Sequence, residues 1–112
     1  MTNDELITEL YKIGKLPAET NPESDAFPLD VFDGYLQQFA VPISVEQAKL
    51  LINLSTPIDT GCYGIEWALL HLIETVEIEK LQEVLDFSEE NELKNIIQIR
   101  LNNYNRKNNG KN

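Results

Sequence analysis

The side chains best suited to chemistry are gathered in one place. The only Cys, Trp and His of the chain stand at Cys62, Trp67 and His71, in the stretch GCYGIEWALLHLIETVEIEK at residues 61–80, together with Glu66 and Glu74. Two kinds of site would use such a set. A metal site would take His71 and Glu74, which lie three apart and share a helix face. It lacks further ligands, since there is no second His and no HExxH or paired ExxH spacing. A thiol nucleophile would pair Cys62 with His71, but nine residues along one helix separate them by about 13 Å, beyond hydrogen-bond reach. An enzyme built on Glu66, His71 and Glu74 would leave the roles of nucleophile and charge stabiliser unfilled. Gly61 and Gly64 lack the Lys and Ser/Thr of a phosphate-binding loop. The expectation is a protein that is not an enzyme, with no catalytic residues, no cofactor and no metal. Trp67 and His71 are then expected in the structural core, the imidazole hydrogen-bonded to a carboxylate or carbonyl. Cys62 is expected to act as a small apolar residue near the start of its helix.

The elements that would hold these residues read as helices throughout. The five prolines, Pro17, Pro22, Pro28, Pro42 and Pro57, lie between the periodic segments and mark the joints. Apolar spacing within the segments is helical, and no stretch alternates with period two. The first helix is expected at residues 2–13, with Leu6, Ile7, Leu10 and Tyr11 as one stripe and Gly14 as its stop. An acidic loop follows to Pro28. The second helix starts with Asp30 as N-cap and carries Phe32, Tyr35, Leu36 and Phe39 at i, i+3, i+4, i+7, an aromatic core face. Ser44 to Gln47 forms a capping box for the third helix, with Ala48, Leu51 and Ile52 inward. The fourth is expected at 62–75, apolar almost all round and hence central. The fifth is expected at 76–87 with an acidic outer face. Ser88 is expected to cap the sixth, with Glu89, Glu90 and Glu92 in its first turn.

These segments predict an all-α fold of five to six antiparallel helices. It is either a HEAT-like short right-handed stack or an irregular helical bundle. One helical domain covers 1–104, and 105–112 is expected to be a disordered Asn/Lys-rich tail.

Charge is the strongest global signal. The net charge is −10. Residues 94–112 hold five bases and no acid, so the first 93 residues carry all nineteen acids against four bases. Such a field repels nucleic acid and anionic membrane and attracts basic partners. One Cys cannot form an internal disulfide, the first residues are acidic where a signal peptide is basic, and no apolar run is long enough to span a bilayer. A cytoplasmic protein is expected. Asp25, Asp30 and Asp33 around the second helix, and Glu79, Glu83, Asp86, Glu89 and Glu90 on the fifth helix and the turn after it, are the candidate partner-binding residues.

The stretch GCYGIEWALLHLIET resembles the central helix of small all-helical immunity proteins of bacterial polymorphic toxin systems, over about residues 43–87. The resemblance implies a cytoplasmic bacterial protein that binds a cognate toxin and neutralises it by occlusion. The partner would be a protein, basic in charge, with no nucleic acid and no membrane involved. The chain itself would be a monomer or weak homodimer. The alternative is a helical scaffold or adaptor that self-associates through a partly exposed face of Phe32, Tyr35 and Phe39.

Overall fold

The computed structural model describes residues 1–18, 20, 26–58, 60 and 64–109. Among these residues six helices follow one another: α1 Asn3–Ile13, α2 Leu29–Leu36, α3 Val45–Ile52, α4 Ile65–Ile73, α5 Ile78–Asp86 and α6 Glu92–Asn109. No strand occurs among the described residues. The protein is all-α.

Local chemistry sets where the helices begin. Thr2 opens α1 with a capping box: its hydroxyl accepts from the Glu5 amide at 3.2 Å, and the Glu5 carboxylate accepts from the Thr2 amide at 2.9 Å. The Thr2 amide donating to it holds the Glu5 carboxyl below the ordinary carboxylate range, and the Thr2 hydroxyl adds to the effect. Ser44 and Gln47 repeat the device at α3, as the sequence predicts. Asn91 starts α6, its side-chain oxygen accepting from the Lys94 amide at 3.0 Å.

Consecutive helices pair, α1 on α2, α3 on α4 and α5 on α6. In addition α3 lies between α1 and α5, and α4 between α2 and α6. The result is two layers, α1–α3–α5 and α2–α4–α6. The extents of 51 × 32 × 20 Å fit a slab two helices thick. The core fills the space between the layers: Leu10, Phe32, Leu51, Leu70, Leu85 and Leu93 are all but fully enclosed. Each such side chain stabilises the fold by roughly 1.5–3 kcal/mol through burial.

Polar bonds tie the layers where the apolar core ends. The Asn91 side chain donates to the Ile52 carbonyl at 2.9 Å, the Leu93 amide to the Ser55 hydroxyl at 3.1 Å, and the Glu92 amide to the Thr56 carbonyl at 2.9 Å. The start of α6 is thereby fixed to the end of α3. The Leu16 amide donates to the Leu54 carbonyl, drawing the chain after α1 to the same place.

Several element boundaries differ from the sequence expectation. α2 begins at Leu29, with Pro28 at the N-cap, so Asp30 stands in the first turn. Proline fixes φ near the helical value and needs no donor there, so it can open a helix that a capping carboxylate would otherwise start. α6 begins at Glu92 and not after Ser88. Asn91 supplies the cap, and Ser88, Glu89 and Glu90 form the turn before it. α6 also runs on to Asn109, past residue 104, where the sequence suggests a tail. Leu101 is the last buried residue among those whose burial is described, and 102–107 are exposed, so these turns project from the body. Residues 110–112 lie outside the described residues. α4 begins at Ile65, and Cys62 also lies outside the described residues.

Candidate interaction face

The outer sides of α1, α3 and α5 form one continuous face. On α1 the outward positions are Thr8, Tyr11 and Lys12; on α3, Glu46, Lys49, Leu50 and Asn53; on α5, Glu79, Gln82, Glu83 and Asp86. Each set follows i, i+3, i+4 or i+7 spacing and so makes a stripe along its helix. Bonds between the helices join the stripes. The Tyr11 hydroxyl donates to the Leu50 carbonyl, linking α1 to α3. Lys49 links α3 to α5, with its ammonium 3.0 Å from Glu83, 3.4 Å from Glu46 and 4.1 Å from the centroid of the Phe87 ring. Lys15 pairs with Glu89, whose amide donates to the Asn53 side chain at 2.9 Å, closing the face at its lower end.

Two groups on this face have shifted proton affinities. The Lys49 pKa is raised, chiefly because the Glu83 carboxylate accepts from it, with Glu46 adding to the effect. The Tyr11 pKa is also raised, first by burial of the phenol and then by the negative charge of Glu89.

The acids singled out in the sequence fall into two groups. Glu79, Glu83 and Asp86 lie on the α5 stripe, and Glu89 and Glu90 on the turn that follows it. All five are exposed. Asp30 and Asp33 stand on α2, in the other layer, and Asp25 lies outside the described residues. Glu83, Glu89 and Glu90 are in ion pairs with Lys49, Lys15 and Lys94. Asp86 accepts from Gln82 at 3.1 Å and Asp33 from Gln37 at 2.9 Å. Glu79 and Asp30 have carboxylates open to solvent.

Of the aromatic residues expected on one core face, Phe32 on α2 and Phe39, past the end of that helix, are buried, and Tyr35 is half-buried. Trp67 and His71 are not in the core. Trp67 is 48% exposed and His71 is exposed as well. The reason is the two-layer arrangement. α4 is flanked by α2 and α6 and backed by α3, so three of its sides are covered and a narrow strip faces solvent. Gly64, Trp67 and His71 occupy that strip at i, i+3 and i+7. The polar residue that α4 takes inside is Glu66, 8% exposed. Glu74 is held by Arg100 through two hydrogen bonds of 2.8 and 3.2 Å, a bidentate pair that ties the end of α4 to α6. Among the described residues no three His, Cys, Asp or Glu side chains converge as a metal site would need.

The sequence reading missed the apolar part of the face. Leu50 points away from Ala48, Leu51 and Ile52 on the helical wheel, which marks it as an outward Leu. Tyr11 stands at the edge of the Leu6–Ile7–Leu10 stripe, where a tyrosine covers the core with its ring and keeps its hydroxyl outside. Both signals were present in the spacing. That Phe87 would meet Lys49 from another helix was not.

No helix among the described residues is long and apolar enough to cross a membrane. Compared with protein-family models, curated proteins and solved structures, the chain matches none.

Proposed function

We propose that this chain is an immunity-type inhibitor, a non-catalytic acidic protein of the bacterial cytoplasm that binds a basic toxin and occludes it. The observation that carries the reading is the acidic outer side of α5 and the turn after it, where Glu79, Glu83, Asp86, Glu89 and Glu90 are all exposed. Of the described bases nearby, Lys15, Lys49, Lys80 and Lys94 already have carboxylate partners. Exposed charges of this sign raise the rate and specificity of encounter with a basic protein. The two-layer order of helix pairs also fits a HEAT-like stack, in which an extended face is the binding surface.

The alternative is a helical scaffold or adaptor; self-association through Phe32, Tyr35 and Phe39 is disfavoured, because Phe32 and Phe39 are in the core.

The test is co-purification of the tagged chain with the product of the neighbouring gene, at low and at high salt. Retention of a basic protein that is toxic when expressed alone, weakening as salt rises, supports the reading. Retention of nothing basic, or of a partner indifferent to salt, contradicts it.

A further inference from the structure

We infer that the groove between α1 and α3 seats an amphipathic cationic segment of the partner protein. Its large apolar side chains would lie against Tyr11, Leu50 and Phe87, and its Lys or Arg side chains against the carboxylates of α5. The inference rests on the basic-partner reading and adds the place and the chemistry of contact.

Three observations carry it. First, an open groove of about 440 Å³ lies between the two helices, lined by Ile7, Thr8, Tyr11, Lys12 and Leu50. Second, each helix of this layer contributes one large exposed apolar side chain at or just past its outer stripe. Tyr11 is 44%, Leu50 47% and Phe87 67% exposed. Single exposed apolar residues are ordinary, but Tyr11 is bonded to the Leu50 carbonyl, and Phe87 lies under Lys49, the residue before Leu50 on α3. Third, the rim is negative on the α5 side. Lys49 is shared between Glu46 and Glu83, while Glu79 and Asp86 have no ion pair among the described residues. An apolar centre with a charged rim is the anatomy of a protein interface, and aromatic residues are the usual anchors.

Charge complementarity selects the occupant. Carboxylates repel phosphate, which disfavours nucleic acid. A second copy of this chain would bring another net −10, so the two would repel at long range. A segment with Lys or Arg around apolar residues meets both parts of the surface.

The test uses the full chain, ¹⁵N-labelled, at low salt. Two synthetic 18-residue peptides of equal charge serve as probes, one of Leu and Lys at helical spacing and one of Gly and Lys. The expected result is amide shifts centred on residues 7–12, 49–53 and 86–89. The Leu/Lys peptide should bind at least about tenfold more tightly than the Gly/Lys peptide. Leu50→Ser, a surface change that leaves the core intact, should remove most of that difference. Equal affinity for the two peptides overturns the inference, as do shifts centred on Trp67 and His71. Both results leave the basic-partner reading standing. Shifts that grow with protein concentration alone point to a second copy and also overturn it. Failure of both peptides to bind contradicts the basic-partner reading itself.

Discussion

The Lys49 ammonium lies 4.1 Å from the centre of the Phe87 ring, and the same nitrogen is 3.0 Å from the Glu83 carboxylate. One side chain of α3 therefore holds both the charge and the aromatic surface of α5. Its own side chain is only 17% exposed, so it serves as a tie between helices more than as a free surface charge. The face described above depends on this contact and on the Tyr11–Leu50 bond.

Both ties weaken in alkali. The folded-state pKa values of Lys49 and Tyr11 are raised above their ordinary values of 10.5 and 10.0. A raised folded-state value means the native protein holds the proton more tightly. The contribution to stability is therefore complete below the ordinary value and is lost as pH rises through the folded one. Urea unfolding followed from pH 8 to pH 11.5 should show stability falling above about pH 10. Tyr11→Phe and Lys49→Met should each flatten that fall. The phenolate absorbance assigned to Tyr11 by difference from Tyr11→Phe should rise at higher pH than that of a free tyrosine.

The exposed strip of α4 predicts small effects where the sequence suggests large ones. His71→Ala should change stability by no more than about 0.5 kcal/mol, as surface substitutions do. Phe32→Ala, at a fully buried position, should cost about 3–5 kcal/mol. The sole tryptophan should emit at long wavelength and be readily quenched by acrylamide. A blue-shifted, protected Trp67 or a large loss in His71→Ala would place both residues back in the core.

Asn91 makes two different bonds, donating to the Ile52 carbonyl and accepting from the Lys94 amide, and it is 5% exposed. Asn91→Ala should cost roughly 1–3 kcal/mol, because it removes a buried hydrogen bond, leaving the Ile52 carbonyl with the Ser55 amide alone, and uncaps α6. Asn91→Asp keeps the capping oxygen but sets a buried carboxylate oxygen against the Ile52 carbonyl, so measured by urea denaturation it should destabilise as well.

Much of the fold can be read from the residues themselves. Capping boxes at Thr2 and Ser44 are local chemistry, and both are built as their spacing implies. The i, i+3, i+4 stripes of α1, α3 and α5 identify the inward residues for the same reason. What fails is knowledge of neighbours. The near-continuous apolar surface of α4 implies burial, but the strip left open depends on how many helices surround it. Trp67 and His71 fell on that strip. The start of α6 was misplaced because Ser88 and Asn91 are both good caps in isolation. The bonds from Ile52, Ser55 and Thr56, about 35–40 residues away in sequence, decide between them. The acidic residues were legible as a group. The helix that carries each was legible too; that α5 and α2 lie in different layers follows only from the packing.

The central claim is that the acids of α5, and not acidity in general, meet the basic partner. Two double charge reversals test it most directly. Glu79→Lys with Asp86→Lys alters the α5 stripe and spares the Lys49–Glu83 pair, while Asp30→Lys with Asp33→Lys alters α2. Each raises the net charge by the same four units from −10, so any difference between them reports position. Titration calorimetry with the Leu/Lys peptide at low salt should show a loss of at least about tenfold for the α5 pair and no more than a few-fold for the α2 pair. Equal losses in the two variants would contradict the claim and reduce the negative charge to a general attraction.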